Sequence, residues 1–296
     1  MIVSKKYILL MLIGLIWGSQ FIFQKIALNS FTPELIGLGR AVVGFITLFV
    51  TCKVLKVKPK SHQSWWIYPL IGLLEASIPL VLIPWGQQFI SSAIASILIG
   101  TIPFFVVAFT PLVTSNYKIT KSNIYSILIG FIGLLSLFAP DILDNRMTFN
   151  FLGPMAVLIA AASFALALLF LTKCSHEHPL IVSRNVIGYA SVQIIIISLF
   201  TTRGVPAHIT WEAAYSILYL GIMCTGLVYL LYMVLISDSG PVFASLTNYL
   251  VPTFGVFIGF LFGREHISLN TWCALFLILV AVAVNQERRK SRAVIA

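Results

Sequence analysis

Residues 94–103 read IASILIGTIP, and residues 243–252 read FASLTNYLVP. Each stretch contains Ala-Ser followed, after six residues, by Pro, and the two stretches lie 149 positions apart in a chain of 296. The same offset aligns residues 71–73 (IGL) with residues 220–222 (LGI). Any one match is weak, but a shared offset is specific, so the pattern predicts an internal repeat of half the chain length.

The composition places this chain in a membrane. Hydrophobic residues make up 59% of it and charged residues only 9%, with a mean hydropathy of +1.00. A soluble domain has about a quarter charged residues, so water-soluble classes are excluded. At about 20 residues per membrane-spanning helix, ten spans would use about two thirds of the chain and leave only short loops.

Apolar runs bounded by charged or turn residues supply the ten candidate spans. They lie at 7–28, 33–54, 65–85, 91–115, 122–139, 150–173, 179–200, 211–236, 241–262 and 268–286. They should be helices, because an open strand edge in lipid would leave backbone groups unpaired. The predicted fold class is an all-α integral membrane protein of ten transmembrane helices.

The basic residues predict the orientation. With a cytoplasmic N-terminus, Arg146, Arg203 and Arg264 lie outside, Lys25 and Arg40 lie within the membrane, and the other 14 of the 19 Lys and Arg residues lie inside. This asymmetry places both termini in the cytoplasm of a multi-pass cell (plasma or inner) membrane protein. Because the charges occupy short loops and chain ends, the net charge of +10 does not indicate nucleic-acid binding.

The repeat predicts inverted topology. Each unit contains five spans, an odd number, so the second unit must enter the membrane from the opposite side. Inverted repeats are a recurring architecture of secondary transporters, whose substrate site lies near the midplane between the halves. The predicted architecture therefore favours transport before any motif is considered.

Several motifs resemble those of a known family. They are Trp17-Gly18-Ser19 with Phe21, Lys25, Ala27-Leu28, Pro33 and Arg40; Ser92 to Ser96 leading to Pro103; and Gly263 with Glu265. Together they resemble the EamA domain of the drug/metabolite transporter superfamily. The resemblance covers the chain as two five-helix EamA-like units, 1–145 and 146–296, the second inverted. It implies a ten-helix permease that moves small organic solutes, often outwards.

We therefore predict a secondary transporter that works by alternating access on a small organic or amphipathic solute, amino-acid-like or cationic, as an exporter. Proton coupling and oligomeric state are left open, and an uptake permease or passive facilitator is the alternative. A channel ranks lower. So does an intramembrane enzyme, because the histidines fall in loops and no pair of carboxylates lies within the membrane. ATP-driven transport is not expected, since the sequence has no nucleotide-binding loop. No cofactor or metal is predicted, and the four cysteines are interpreted as small buried hydrophobes.

Glu75 is the most informative residue, since it lies about halfway along the third apolar run. A carboxylate at bilayer depth costs about 2.5 to 3.5 kcal/mol on insertion scales, so it should face a cavity or another helix. We predict that it binds a proton, a substrate ammonium group, or each in turn. A structural, hydrogen-bonded carboxyl group is the alternative.

Polar and aromatic residues at helical spacing suggest the walls of the site. The stripes are Trp17, Gln20 and Gln24; Thr225, Tyr229 and Tyr232; and Ser245, Asn248 and Pro252. Such faces avoid lipid, so we predict that Trp17, Gln20, Tyr229, Tyr232 and Asn248 contact substrate beside Glu75. Hydrogen bonding between helices would explain the same stripes.

The remaining candidates concern gating and bending. We predict gating roles for Arg40, Arg184 and Lys25, with snorkelling to the interface as the alternative for Arg184 and Lys25 in particular. Pro103 and Pro252 are predicted to lie inside helices at equivalent positions of the repeats, where each removes a backbone hydrogen bond. They would serve as hinges, or as kinks that only improve packing.

Overall fold

A computed structural model describes residues 2–59, 66–113, 121–143, 151–174, 176–201, 208–244 and 246–293. These residues form helices joined by turns and short irregular segments, and none of them is in a strand. The helices are, in chain order, α1 Ile2–Ala27, α2 Pro33–Val54, α3 Ile67–Gln87, α4 Ser92–Val113, α5 Lys121–Leu143, α6 Leu152–Leu171, α7 Pro179–Thr201, α8 211–244, α9 Thr247–Leu261 and α10 Leu269–Ala293.

Seven of these helices are long and apolar enough to cross a membrane, namely α1 to α4 and α6 to α8. Shorter apolar segments occupy α5 at Ile127–Leu137, the whole of α9, and α10 at Leu269–Ala281. The all-helical prediction is thus confirmed for the described residues, while the number of ten spans stays a prediction.

The fourth helix is broken, although the sequence predicts one continuous span there. Its two parts are Ser92–Ile99 and Ile102–Val113, and the Thr101 hydroxyl donates to the Leu98 carbonyl at 2.6 Å in the break. Pro103 is the second residue of the new segment, where its missing N–H costs no helical hydrogen bond. The prediction that Pro103 lies inside a helix is therefore wrong, whereas Pro252 does lie inside α9.

The boundary between α8 and α9 also differs from its prediction. The sequence separates the two at about residue 240, but α8 continues to Ala244 and α9 begins at Thr247. Asp238, which follows the predicted run 211–236, remains in α8 and forms an ion pair with Lys5 at 3.2 Å. A charged residue that has an ion-pair partner does not force the helix to stop. Ser245 lies outside the described residues.

The two groups of five helices interlock. α1 packs on α8 and α9 from the C-terminal group, and α6 packs on α3 and α4 from the N-terminal group. α2 lies against α7 and α8, and α5 packs along α10. Every one of these pairs joins the first half of the chain to the second.

Two π-helical turns interrupt α3 and α8. They cover Leu73–Ser77 and Ile222–Leu227, and their first residues are 149 positions apart, the offset of the sequence repeat. A π turn leaves backbone carbonyls without their usual partner and occurs often at functional sites. Here the Leu74 carbonyl accepts from the Ser163 hydroxyl on α6 at 2.6 Å.

Glycines bring α2 and α8 into close contact beside the second π turn. A Cβ atom on Gly44 would lie 2.5 Å from Thr225 Cγ2, and one on Gly226 would lie 2.2 Å from Thr47 Cγ2. Neither contact leaves room for a side chain larger than hydrogen. The close approach places the α2 side chains directly against the backbone of the turn.

Candidate functional site

Glu75 lies in the π turn of α3 and contacts a residue of the other half. Its Oε1 accepts a hydrogen bond from the Tyr229 hydroxyl on α8 at 3.0 Å. At 1.5 Å per residue, Glu75 is about 12 Å from the first residue of α3 and about 18 Å from the last. The partly buried carboxyl group is thus close to the middle of the helix, as the sequence predicts.

Aromatic rings surround this hydrogen bond. The centroid of Trp17 on α1 lies 6.2 Å from that of Tyr229 and 5.2 Å from that of Tyr232. These distances are in the range of favourable edge-to-face and tilted ring contacts. Three predicted site residues from two helices therefore meet beside Glu75.

Arg40 approaches the same region from α2. Its side chain is 7% exposed; Nε donates to Thr225 Oγ1 at 3.1 Å and Nη2 to the Cys224 carbonyl at 3.5 Å. That carbonyl belongs to the second π turn. The guanidinium points inward to α8 and does not extend to the nearer helix end, as a snorkelling side chain would.

Glu75 and Arg40 both bind side chains of α8. Tyr229 donates to Glu75, and Thr225, four residues earlier, accepts from Arg40. Among the described residues, the structure shows no carboxylate within 4.0 Å of Arg40. We name Trp17, Arg40, Glu75, Tyr229 and Tyr232 the central site. It combines a carboxyl group and a guanidinium group that both bind α8 with adjacent aromatic rings.

Two predicted contact residues stand apart from this arrangement. The Asn248 side chain is exposed, whereas the neighbouring Thr247 is 1% exposed and hydrogen-bonds to Tyr232. Gln20 is partly buried, and Gln24 is fully buried with both amide atoms lacking a hydrogen-bond partner in the described structure. In the predicted stripe on α9, Pro252 is buried but Asn248 is exposed, and Thr247 takes the inward position beside Tyr232.

Sequence reasoning missed three residues that fix the π turns, namely Ser163, Thr225 as a partner of Arg40, and the Cys224 carbonyl. Hydroxyl groups in an apolar run are the available signal, because Ser and Thr satisfy backbone groups freed by irregular helices. The Cys224 carbonyl could not be found in this way, because a backbone group leaves no trace in the pattern of side chains. Cys273 departs from the predicted burial, since it is exposed on α10.

Lys25 closes one end of the helix bundle. Its ammonium group donates to the carbonyls of Gln87 and of Ile90, the latter at 3.1 Å, and so binds the end of α3. Glu265, after α9, accepts from the backbone N–H groups of Ser92 at 2.7 Å and Ala93 at 2.9 Å, at the start of α4. We name Lys25, Gln87, Ser92 and Glu265 the Lys25 cluster.

Arg184 lies at the opposite end, near the start of α7. Its Nε and Nη2 both donate to Asn185 Oδ1, at 3.1 and 2.9 Å. Arg184 and Lys25 therefore mark the two ends of the bundle, while Arg40 lies between them. In the described ranges, His, Cys, Asp and Glu form no group of three that could hold a metal ion.

Comparisons with known proteins give a consistent result. The model of the EamA-like transporter family matches residues 4–139 and again 151–285. The chain is 28% identical to the uncharacterized transporter YoaV of Bacillus subtilis, over 94% of this chain and 96% of the relative. It is 24% identical to the uncharacterized inner membrane transporter YedA of Escherichia coli, over 91% and 87%.

A crystal structure supports the fold. It superposes on this chain with a TM-score of 0.65 and covers 95% of this chain and 96% of its own, at 14% sequence identity. At that identity the likeness concerns the fold alone.

Proposed function

Because the chain belongs to the EamA-like transporter family, we propose that it is a secondary transporter that exports a small amino-acid-like or cationic organic solute by alternating access. The observation that carries this proposal is the hydrogen bond between Glu75 and Tyr229, near the middle of α3 and between the two halves. Inverted-repeat transporters bind substrate at that place.

The proposed topology has ten spans, two inverted units at 1–145 and 146–296, and both termini in the cytoplasm. The equivalent π turns, the two ranges matched by the family model and the asymmetry of basic residues all support it. In this orientation the Lys25 cluster faces outside, and Arg184 faces the cytoplasm.

The central site suggests how such a solute is bound. Glu75 would bind the ammonium group, Arg40 the carboxylate, and the faces of Trp17 and Tyr232 the apolar or cationic part. When no solute is bound, Glu75 would accept a proton, which couples export to proton entry. Arg40 suits a carboxylate because a guanidinium binds it through two parallel N–H groups.

Alternating access needs a closed end and a part that moves. At one end Lys25 on α1 binds the end of α3 and Glu265, after α9, binds the start of α4, while Arg184 and Arg40 would respond to solute from the other side. The π turns, the break before Pro103 and Pro252 in α9 lie at mid-helix or near it and would act as hinges.

The test is transport by the purified chain in proteoliposomes. A melting-temperature screen of amino acids, polyamines, nucleosides and quaternary amines supplies candidate solutes, and counterflow then measures their exchange. We expect saturable counterflow that is lost in Glu75→Gln and retained in Glu212→Gln, whose carboxylate is exposed at the start of α8. Full, pH-independent transport by Glu75→Gln would remove Glu75 from the mechanism.

Gradient experiments distinguish direction and coupling. Export with proton entry predicts that an inward proton gradient accelerates efflux and leaves solute influx slow. Equal influx and efflux without a gradient effect would indicate a passive facilitator, and accelerated influx an uptake permease. Ionic current without saturable counterflow would indicate a channel.

A further inference from the structure

A basic pocket lies where the end of α2 meets the start of α7. It has a volume of about 290 Å³ and is lined by Phe49, Cys52, Lys53, Lys56, Val57, Lys58 and Arg184. Four of these residues are cationic and none is acidic. We name it the α2–α7 basic pocket.

The backbone at the end of α2 holds a lysine in an unfavourable conformation. Lys56 has a φ of 53°, its N–H donates to the Lys53 carbonyl at 3.1 Å, and the Val57 N–H donates to the Cys52 carbonyl at 2.9 Å. This is a Schellman motif, in which glycine is the usual residue at the position of Lys56. A side chain retained in the left-handed region points to a function for that side chain.

The cations come from two segments that are held together, namely the end of α2 with the residues just after it, and the first turns of α7. The Cys52 thiol donates to the Leu180 carbonyl at 3.7 Å, which joins the end of α2 to the first turn of α7. On α7, both hydrogen bonds from Arg184 to Asn185 fix its guanidinium at the edge of the pocket. On α2, the Lys53 ammonium lies 4.7 Å from the Phe49 ring centroid. The positive charges thus line one open pocket where the two segments meet.

The surface beside the pocket is apolar. On α2, Ile46 is 54% exposed, Val50 51% and Val54 71%, and these residues recur at four-residue spacing along one face. In a membrane protein such a face contacts acyl chains. A ligand with a phosphate in the pocket and hydrocarbon chains along α2 would therefore fit both surfaces.

We propose that the α2–α7 basic pocket binds the phosphate group of an anionic phospholipid. Arginine and lysine are the residues that bind phosphate, and basic pockets between membrane helices recognise anionic headgroups. A free phosphorylated solute offers the same phosphate, but it has no acyl chains to contact Ile46, Val50 and Val54. The proposal concerns a lipid site and does not depend on the transported solute.

The test uses the purified full chain, stripped of lipid in a neutral detergent. Native mass spectrometry and melting temperature are measured with phosphatidylglycerol and with phosphatidylcholine. We expect retention and thermal stabilisation by phosphatidylglycerol only. Each neutralised lysine should weaken binding about fivefold, so the variant carrying Lys53→Gln, Lys56→Gln and Lys58→Gln should lose about 100-fold.

The matched control removes the same charge elsewhere. A variant with Lys6→Gln, Lys121→Gln and Lys173→Gln should bind phosphatidylglycerol like the parent. Equal loss in both triple variants, or no loss in the pocket variant, would overturn the proposal. If the pocket variant does not fold, the single variants Arg184→Gln and Lys56→Gly are compared with the parent instead. Lys56→Gly also removes the backbone strain. It should therefore bind less lipid, whereas its melting temperature without lipid should be higher than that of the parent.

A further arm separates the two sources of phosphate. Inorganic phosphate and glycerol 3-phosphate are added to the lipid-free protein in place of phosphatidylglycerol. We expect no comparable stabilisation at millimolar concentration. Equal stabilisation by glycerol 3-phosphate, with no additional effect of phosphatidylglycerol, would assign the pocket to a soluble phosphate compound and contradict the lipid proposal.

Discussion

Tyr229, in the second half of the chain, contacts both an acidic residue and an aromatic residue of the first half. Its hydroxyl donates to Glu75, and its ring lies against Trp17. A hydrogen bond that crosses between two halves must change when the halves move. The Tyr229 hydroxyl is therefore placed to respond when the Glu75 carboxyl group binds a proton or a solute.

Replacing Tyr229 by Phe tests this position. The variant keeps the ring and removes the hydroxyl, so the free energy of unfolding should fall by only about 1 kcal/mol. Counterflow should fall much more than stability, since Glu75 loses its positioned donor. Tyr215→Phe, at an exposed site on the same helix, is the control. Unchanged counterflow in Tyr229→Phe would show that the hydrogen bond has no role in transport.

Arg40 permits a prediction about solute chemistry. A charge-assisted hydrogen bond contributes about 1.5 to 3 kcal/mol, which is roughly 10- to 100-fold in affinity. Arg40→Gln should weaken binding of an amino acid by that factor and leave its decarboxylated amine unaffected. The two affinities are compared by competition in counterflow. A parallel loss for both compounds would mean that Arg40 supports the fold of the site and does not contact a carboxylate.

At the scale of elements, the contact between α2 and α8 sets the geometry around Arg40. Gly44→Ala places a methyl group 2.5 Å from Thr225 Cγ2, and overpacking of this kind costs about 1 to 3 kcal/mol. We expect a lower melting temperature together with loss of counterflow. Gly133→Ala, where the nearest atom lies 3.0 Å away on α10 and a smaller shift suffices, should lower the melting temperature less. Equal melting temperatures for the two variants would show that the α2–α8 contact tolerates separation.

The elements also show how far sequence reasoning extends. α2 was predicted at 33–54 and occupies Pro33–Val54, because Pro33 and Lys53 mark its ends in the sequence itself. The π turns had no such signal, since they arise from the way carbonyls of α3 and α8 are bound by Ser163 and Arg40 across the molecule. In the site, Glu75 was identifiable from the cost of a charge in lipid, whereas Thr247 depended on a helix phase that packing alone determines.

For the whole molecule, the Lys25 cluster implies that one end is closed in this conformation. Glu265→Ala removes the acceptor for two N–H groups at the start of α4, and loss of a helix cap costs about 1 kcal/mol, or about fivefold in an equilibrium. The readout is the rate at which maleimide labels Gln20→Cys in a Cys273→Ala background. With the reagent added on the side of the Lys25 cluster, Glu265→Ala should increase this rate about fivefold.

Vesicles of both orientations distinguish an opened end from general loosening. Labelling that rises equally from both sides would indicate partial unfolding instead of opening. Glu212→Ala, an exposed carboxylate on α8, should leave the rate unchanged from either side.

The pairing of α1 with α8 and α9, and of α6 with α3 and α4, has a consequence for biogenesis. During synthesis the early helices enter the lipid before the helices that will cover their polar faces exist. Glu75 and Arg40 therefore lack their partners on α8, in the bilayer or at the translocon, until α8 is synthesised. We expect that a chain ending after α5 is degraded when expressed alone, and that co-expression with a second chain starting before α6 restores a stable, active transporter. Stability of the first piece alone would show that the first half folds without the second.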